Sequence, residues 1–179
     1  NVTPEGESYV PNDTFGAVPC KGIPRPTPIT MQYPHICRLI NKWARANLPP
    51  DFCWTAITLN KGFASKRHRD ANNQGPSITR SLGKYDGGQL KIWPHDDRKR
   101  KVETLLDHHA ITVDTSIDFC MFDGNQAHEV TPILSGTRYS LICYHWKIVE
   151  LLHTHDRASL KARGFSQSDA DAIDLNQRI

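Results

Sequence analysis

Two histidines and one aspartate are the residues best placed to do chemistry. Lys66-Arg67-His68-Arg69-Asp70 is followed far downstream by Gln126-Ala127-His128. In an extended segment residues i and i+2 share a face, so His68 and Asp70 can grip one ion. A third ligand must come from another strand, and His128 stands just after the turn-forming Asp123-Gly124-Asn125. Two imidazoles and one carboxylate on one face of an octahedron leave three adjacent positions open, which suits Fe(II). Zn²⁺ accepts the same donors. A lone His-x-Asp recurs by chance, and an ordinary surface ion pair reads the same way. Arg138-Tyr139-Ser140, ten residues beyond His128, separates the two readings. A strand, a turn at Ser135-Gly136 and a returning strand place Arg138 on the order of 10–16 Å from the metal along the backbone. A five-carbon diacid held by the metal at one end spans that gap. The guanidinium fork suits its far carboxylate, and Ser140, on the same face, adds a hydroxyl.

These side chains need a β framework to position them. Strands are expected at 54–60, 77–82, 89–93, 111–113, 119–122, 129–133 and 138–146, separated by Gly87-Gly88, Pro94-His95-Asp96-Asp97, Asp123-Gly124-Asn125 and Ser135-Gly136. Ahead of them, Ile36, Leu39, Ile40, Trp43 and Leu48 recur at helical spacing until Pro49-Pro50, giving a helix that braces the sheet. Residues 1–30 carry six prolines among small polar residues and read as an irregular arm. The tail looks helical from Asp156 to Ala162 and again from Ser168 to Leu175. The expected organisation is a single domain: arm 1–30, bracing helix 31–50, all-β core 51–148 and helical tail 149–179.

His68-x-Asp70, His128 and Arg138-x-Ser140 resemble the signature of the Fe(II)/2-oxoglutarate-dependent dioxygenases, over residues 54–146. The runs Gly75-Pro76-Ser77, Leu82 to Leu90, Phe122 to His128 and Gly136 to Leu141 resemble the TET/JBP nucleobase oxygenases within that superfamily. The resemblance implies a double-stranded β-helix (jelly roll) with flanking helices. It also implies Fe(II) on His68, Asp70 and His128, 2-oxoglutarate as co-substrate with Arg138 on its distal carboxylate, and dioxygen. The implied reaction hydroxylates a substrate C–H bond and decarboxylates 2-oxoglutarate to succinate, with no catalytic side chain beyond the metal ligands. Asn60 is a further candidate contact for the co-substrate, set against a plain strand-end role.

The implied substrate is a nucleobase methyl group in DNA or RNA, such as that of 5-methylcytosine or thymine. Arg67, Arg69, Asn72, Asn73 and the run Arg98-Lys99-Arg100-Lys101 are the candidate contacts to it, by phosphate binding and base reading. Plainer readings are a solvated charge run and a polar loop. Two alternatives stay open: a hydroxylase of a protein side chain or small metabolite, and a β-helix module that binds metal without turnover.

At 179 residues, 38% hydrophobic and 23% charged, the chain is long enough for one good core and is neither fibrous nor disordered in composition. A net charge of +3 neither requires nor excludes nucleic acid, and no apolar run is long enough for a membrane span. Cys20, Cys37, Cys53, Cys120 and Cys143 are odd in number and lack a CxxC pair, so they read as reduced, mostly buried thiols. That leans toward an intracellular site, with the nucleus a candidate. Of nine histidines, only His68 and His128 are assigned chemistry. His95-Asp96-Asp97 reads as a turn, His108-His109 as one buried and one solvated histidine, and His153-Thr154-His155-Asp156 as a strand end or helix cap.

Overall fold

A computed structural model of the protein describes Thr3, residues 9–147 and residues 149–165. Its long sheet runs β2 (Ile23–Pro26), β1 (Asn12–Cys20), β3 (Ala56–Lys61), β9 (Ile133–Tyr144), β4 (Ser77–Gly87) and β7 (Cys120–Phe122). A second sheet runs β6 (Ile111–Val113), β5 (Leu90–Ile92) and β8 (His128–Val130). Every strand pair is antiparallel. Leu90 on the short sheet packs with Cys120 and Phe122 on the long one, which closes the two layers on each other. This is the jelly roll.

The two faces of the long sheet differ in chemistry. Phe15, Ile57, Ile78, Leu141 and Cys143 point outward against α2 (Pro34–Asn47) and α3 (Thr154–Ala162), where they meet Cys37, Ala44 and Leu160. Ile57, Cys143 and Leu160 are wholly buried. Each large aliphatic there is worth about 1.5–3 kcal/mol, so this outer face supplies most of the apolar stabilisation. The inner face carries Thr14, Thr58, Asn60, Thr79, Ser81, Arg138 and Ser140, which follows from the strict alternation along β1, β3, β4 and β9. Buried hydroxyls must be paired. Thr14 meets Thr58 at 2.8 Å, Thr58 meets the Tyr144 hydroxyl at 3.1 Å, and Ser81 meets Thr115 at 2.6 Å. A polar lining of this kind belongs to a chamber rather than to a core.

Several expectations need correction. The arm is not irregular where it is described. Residues 12–26 form the hairpin β1–β2, which extends the long sheet beside β3, and α1 (Pro28–Gln32) follows. Its prolines are tolerated because β2 is the edge strand and Pro19 pairs only with Pro24, beyond the stretch of β1 that pairs with β3. The bracing helix runs as expected but turns a different stripe inward. Cys37, Asn41 and Ala44 are buried, while Leu39 is 67% exposed. Asn41 earns its interior place by accepting from Trp54 Nε1 at 2.7 Å and donating to the Cys37 carbonyl at 2.9 Å. The strand expected at 129–133 divides into the end of β8 and the start of β9. The second tail helix lies outside the described residues. No described helix is long and apolar enough to cross a membrane.

Candidate active site

The metal donors converge where loop meets strand. His68 lies in no regular strand, yet it forms an isolated antiparallel bridge with His128 at the start of β8, with N–H···O distances of 2.9 and 3.0 Å. Asp70 follows two residues on and is anchored by its N–H to the Gly124 carbonyl at 2.8 Å. One donor atom from each of His68, Asp70 and His128 lies within 4.8 Å of the others. Among the described residues no other group of three His, Cys, Asp or Glu comes together in this way.

The hydrogen bonds around the triad prepare it for a cation. His68 Nδ1 sits 2.7 Å from the Lys66 carbonyl, and His128 Nδ1 sits 2.9 Å from the Gln126 carbonyl. A carbonyl can only accept, so both rings donate from Nδ1 and turn Nε2 toward the triad as the ligand atom. Burial, and then the facing His68, push the His128 pKa below the ordinary imidazole value, which keeps it a neutral ligand. Asp70 Oδ2 accepts from Asn73 Nδ2 at 2.9 Å, and the same amide reaches Ser77 at 3.2 Å. A side chain at position 124 would place its Cβ 2.8 Å from Asp70 Oδ2 and 3.0 Å from Asn73 Nδ2, so glycine there lets the carboxylate and amide keep these positions. Two imidazoles oriented through Nδ1 and an oriented carboxylate fit Fe(II).

Arg138 is delivered by register. It lies opposite Gly83 on β4, on the same inner face as Ser140, and is 3% exposed. Its guanidinium donates to the Phe63 carbonyl at 3.4 Å and lies 5.9 Å from the Tyr85 ring centre, while its Nε has no partner. No carboxylate pairs with it among the described residues. Burial lowers its pKa, with Tyr85 opposing the shift. A buried cation lacking a protein anion is costly unless an anionic ligand completes it. Gly88, with φ +63°, keeps this space open, since a Cβ there would lie 2.6 Å from Arg138 Cδ. Ser140 accepts from Asn60 Nδ2 at 3.3 Å, so Asn60 and Ser140 are partners on that face.

With this geometry in view, comparison with known proteins is informative about the fold. No protein-family model matches the sequence, and no curated protein matches it. Among solved structures, NgTET1 in complex with 5mC DNA matches with a TM-score of 0.51 and 19% identity, over 76% of this chain. The chain spans 61% of that protein's length. The likeness is one of fold, two antiparallel sheets closed on each other. Two further matches are a 2OG-Fe(II) oxygenase family oxidoreductase from Burkholderia pseudomallei and a prolyl-4-hydroxylase from Pseudomonas putida. The first has a TM-score of 0.45 and 15% identity, over 75% of this chain and 72% of that one. The second has a TM-score of 0.38 and 16% identity, over 80% of this chain and 75% of that one.

Within this fold the candidate substrate contacts separate into two groups. Arg67 and Arg69 are committed internally. Arg67 binds Glu129 at 3.0 Å, pairs with Asp107 and lies 4.0 Å over the Trp93 ring, while Arg69 binds Asp96. Neither guanidinium is free for a phosphate. Asn73 is 5% exposed and donates to Asp70, so its amide is turned inward to a candidate metal ligand and away from solvent. Arg98, also with positive φ, pairs with Asp123 at 3.1 Å. Asn72, Lys99, Arg100 and Lys101 are exposed.

Sequence reasoning missed Tyr85, Gly88, Gly124, Tyr144 and Asp96. Tyr144 ends β9 on the face of Arg138 and Ser140, and its pKa is raised by burial, with the Asp70 charge adding to the shift. Its position six residues beyond Arg138 was the available signal. The expected histidine roles also change: His108 and His109 are both exposed, their rings edge-on at 4.2 Å. None of the five cysteines is bridged, and three are buried. Burial raises Cys37 to about 11 and Cys143 to about 12, values of core thiols rather than nucleophiles.

Proposed function

We propose that this protein is an Fe(II)- and 2-oxoglutarate-dependent dioxygenase. The observation that carries the reading is the combination of a preformed His68-Asp70-His128 donor set with a buried Arg138 that lacks a protein anion. His68, Asp70 and His128 would hold the metal, and Arg138 would bind the distal carboxylate of 2-oxoglutarate, with Ser140 and Asn60 beside it. When bound, the metal and co-substrate would harness dioxygen as the oxidant, one oxygen atom converting C–H to C–OH and the other entering succinate as 2-oxoglutarate loses carbon dioxide. The chain contributes position and environment: imidazoles oriented by their Nδ1–H bonds, a carboxylate oriented by Asn73, and a chamber wall of paired hydroxyls.

The substrate best supported is a methyl group on a nucleobase. Tyr144 and Trp146 stand edge to face at 5.6 Å, and the bridge between Asn73 and Trp146 ties that pair to the support of Asp70. An aromatic pair tied to the segment that supports Asp70 is the kind of surface against which a flat base can pack. Lys99, Arg100 and Lys101 offer exposed cations on the loop that Arg69 holds, as a nucleic-acid backbone requires. The similar solved structure NgTET1 was captured with 5mC DNA, which supports the same class.

Succinate release, measured across methylated DNA, RNA, peptide and metabolite panels, tests the reading. Release stimulated by methylated nucleic acid is expected. Stimulation by a peptide or metabolite alone would overturn the substrate assignment. Anaerobic addition of Fe(II) and 2-oxoglutarate that gives no visible charge-transfer band on folded protein would overturn the oxygenase assignment itself.

A further inference from the structure

We infer that Arg69 and Asp96 form a positioning pair that fixes the two halves of the metal triad relative to each other, so that metal affinity depends on it. The inference rests on reading His68, Asp70 and His128 as a metal site. Asp96 belongs to a polar turn by sequence, yet its side chain is 0% exposed. Its two oxygens take the fork of Arg69, Oδ2 from Nε at 2.6 Å and Oδ1 from Nη2 at 2.7 Å. Arg69 stands between His68 and Asp70, so alternation sends its side chain away from the metal side and into this pair.

The same carboxylate reaches the other half of the triad. Oδ2 accepts the Ala127 N–H at 2.8 Å, one residue before His128, and Oδ1 accepts the Arg98 N–H at 3.0 Å. One buried carboxylate therefore joins the segment carrying two ligands to the segment carrying the third. The Arg69 bond, followed by these backbone bonds, holds the Asp96 carboxyl below the usual carboxylate range. Arg67 and Glu129 make a second tie, from the residue before His68 to the residue after His128. That tie leaves the Asp70 arm free, whereas Arg69 acts on both ligands at once. Outer-shell partners of this kind set how closely donors are preorganised, and their loss typically weakens metal binding about 10- to 100-fold.

The test is Co(II) titration of the purified metal-free protein, read by its visible d–d bands and by calorimetry, beside thermal unfolding of the metal-free form. Asp96→Asn keeps the shape but removes the charge and one acceptor; it should weaken Co(II) binding by about 10- to 100-fold and shift the bands. Arg69→Lys keeps the charge but loses the fork, and should weaken binding by a smaller factor. Leu160→Ala, in the core under α3, should lower Tm and leave Co(II) affinity unchanged. Wild-type affinity in Asp96→Asn overturns the inference. An equal loss of affinity in Leu160→Ala also overturns it, because general destabilisation would then explain both. Should Asp96→Asn fail to fold, Arg69→Lys decides by the same criterion: wild-type affinity overturns, and weakened binding with shifted bands supports. Failure of wild-type protein to bind one Co(II), or unchanged binding in His128→Ala, overturns the metal-site reading and the inference with it.

Discussion

The two ends of the proposed active site, the His68-Asp70-His128 group and Arg138, are built by different means. Arg138 sits in β9 opposite Gly83 of β4, with its carbonyl accepting the Gly62 N–H just beyond β3 at 2.7 Å, and register puts it on the inner face with Ser140. The metal donors sit on short or irregular segments, where a single bridge, a glycine and a set of ion pairs do the same job. The anchor end therefore inherits rigidity from backbone pairing. The metal end depends on long-range polar contacts, each of which can be removed by one substitution. Damage should accordingly spread differently from the two ends.

The largest effect is expected at the metal end itself. Asp70→Ala removes one of only three protein donors and should abolish stoichiometric metal binding. Thermal stability of the metal-free protein should change little, because the Asp70 side chain is 36% exposed. Metal content by elemental analysis and unfolding by circular dichroism give both readouts. Retained metal would show that another group supplies the third ligand.

Arg138→Met should reverse that pattern in one respect. Losing a buried charge that pairs with a ligand carboxylate should weaken 2-oxoglutarate binding by about 2–5 kcal/mol. The metal-free, ligand-free protein should hold its Tm or gain, because an unpaired buried cation is replaced by an apolar chain. A fall in Tm together with undiminished 2-oxoglutarate binding would mean that Arg138 serves the fold rather than the ligand.

The ends also differ toward acid. Asp96 has its pKa lowered from the model-compound value of 3.8, chiefly by Arg69. Its contribution to stability is complete above that ordinary value and is lost as pH falls through the lowered native one. Asp96→Asn should therefore be less stable than wild type at neutral pH, with the gap closing in strong acid. Arg138 has no counterpart, since a guanidinium stays charged throughout this range. Urea unfolding at stepped pH measures both, and a gap that stays constant into strong acid would argue against an ionised Asp96 at this joint.

How much of this was readable in advance follows the same division. His68, Asp70, His128 and Arg138 stand out as residue types at family-like spacing, and alternation along β9 already places Ser140 beside Arg138. Asp96 was hidden because turn aspartates are common, and burial of one depends on Arg69, 27 positions away. Asn73 looked like a loop residue for a related reason: its partner is a carboxylate whose orientation only the fold determines. The hairpin at 12–26 was obscured by prolines that an edge strand accepts. Leu39 was misassigned to the buried stripe because spacing reports a period but not its phase. Asn41, polar and buried, is the residue that fixes the phase.

The smallest effect is expected farthest from the ligands, where that hairpin meets the chamber wall. Thr14 comes from the segment read as an irregular arm, yet its hydroxyl pairs with Thr58, which in turn reaches Tyr144. Thr14→Val keeps the shape and removes one hydrogen bond, for about 0.5–1.5 kcal/mol of stability. Thr58 retains Tyr144 as a partner, so the wall should keep its geometry. Denaturant midpoints should fall slightly while metal and 2-oxoglutarate affinities stay at wild-type values. If either affinity drops with the midpoint, the first strand is part of what positions the ligands, and the anchor end is more fragile than its strand pairing suggests. The hydroxyl chain from Thr14 through Thr58 to Tyr144 would then be the route by which the first strand reaches the chamber.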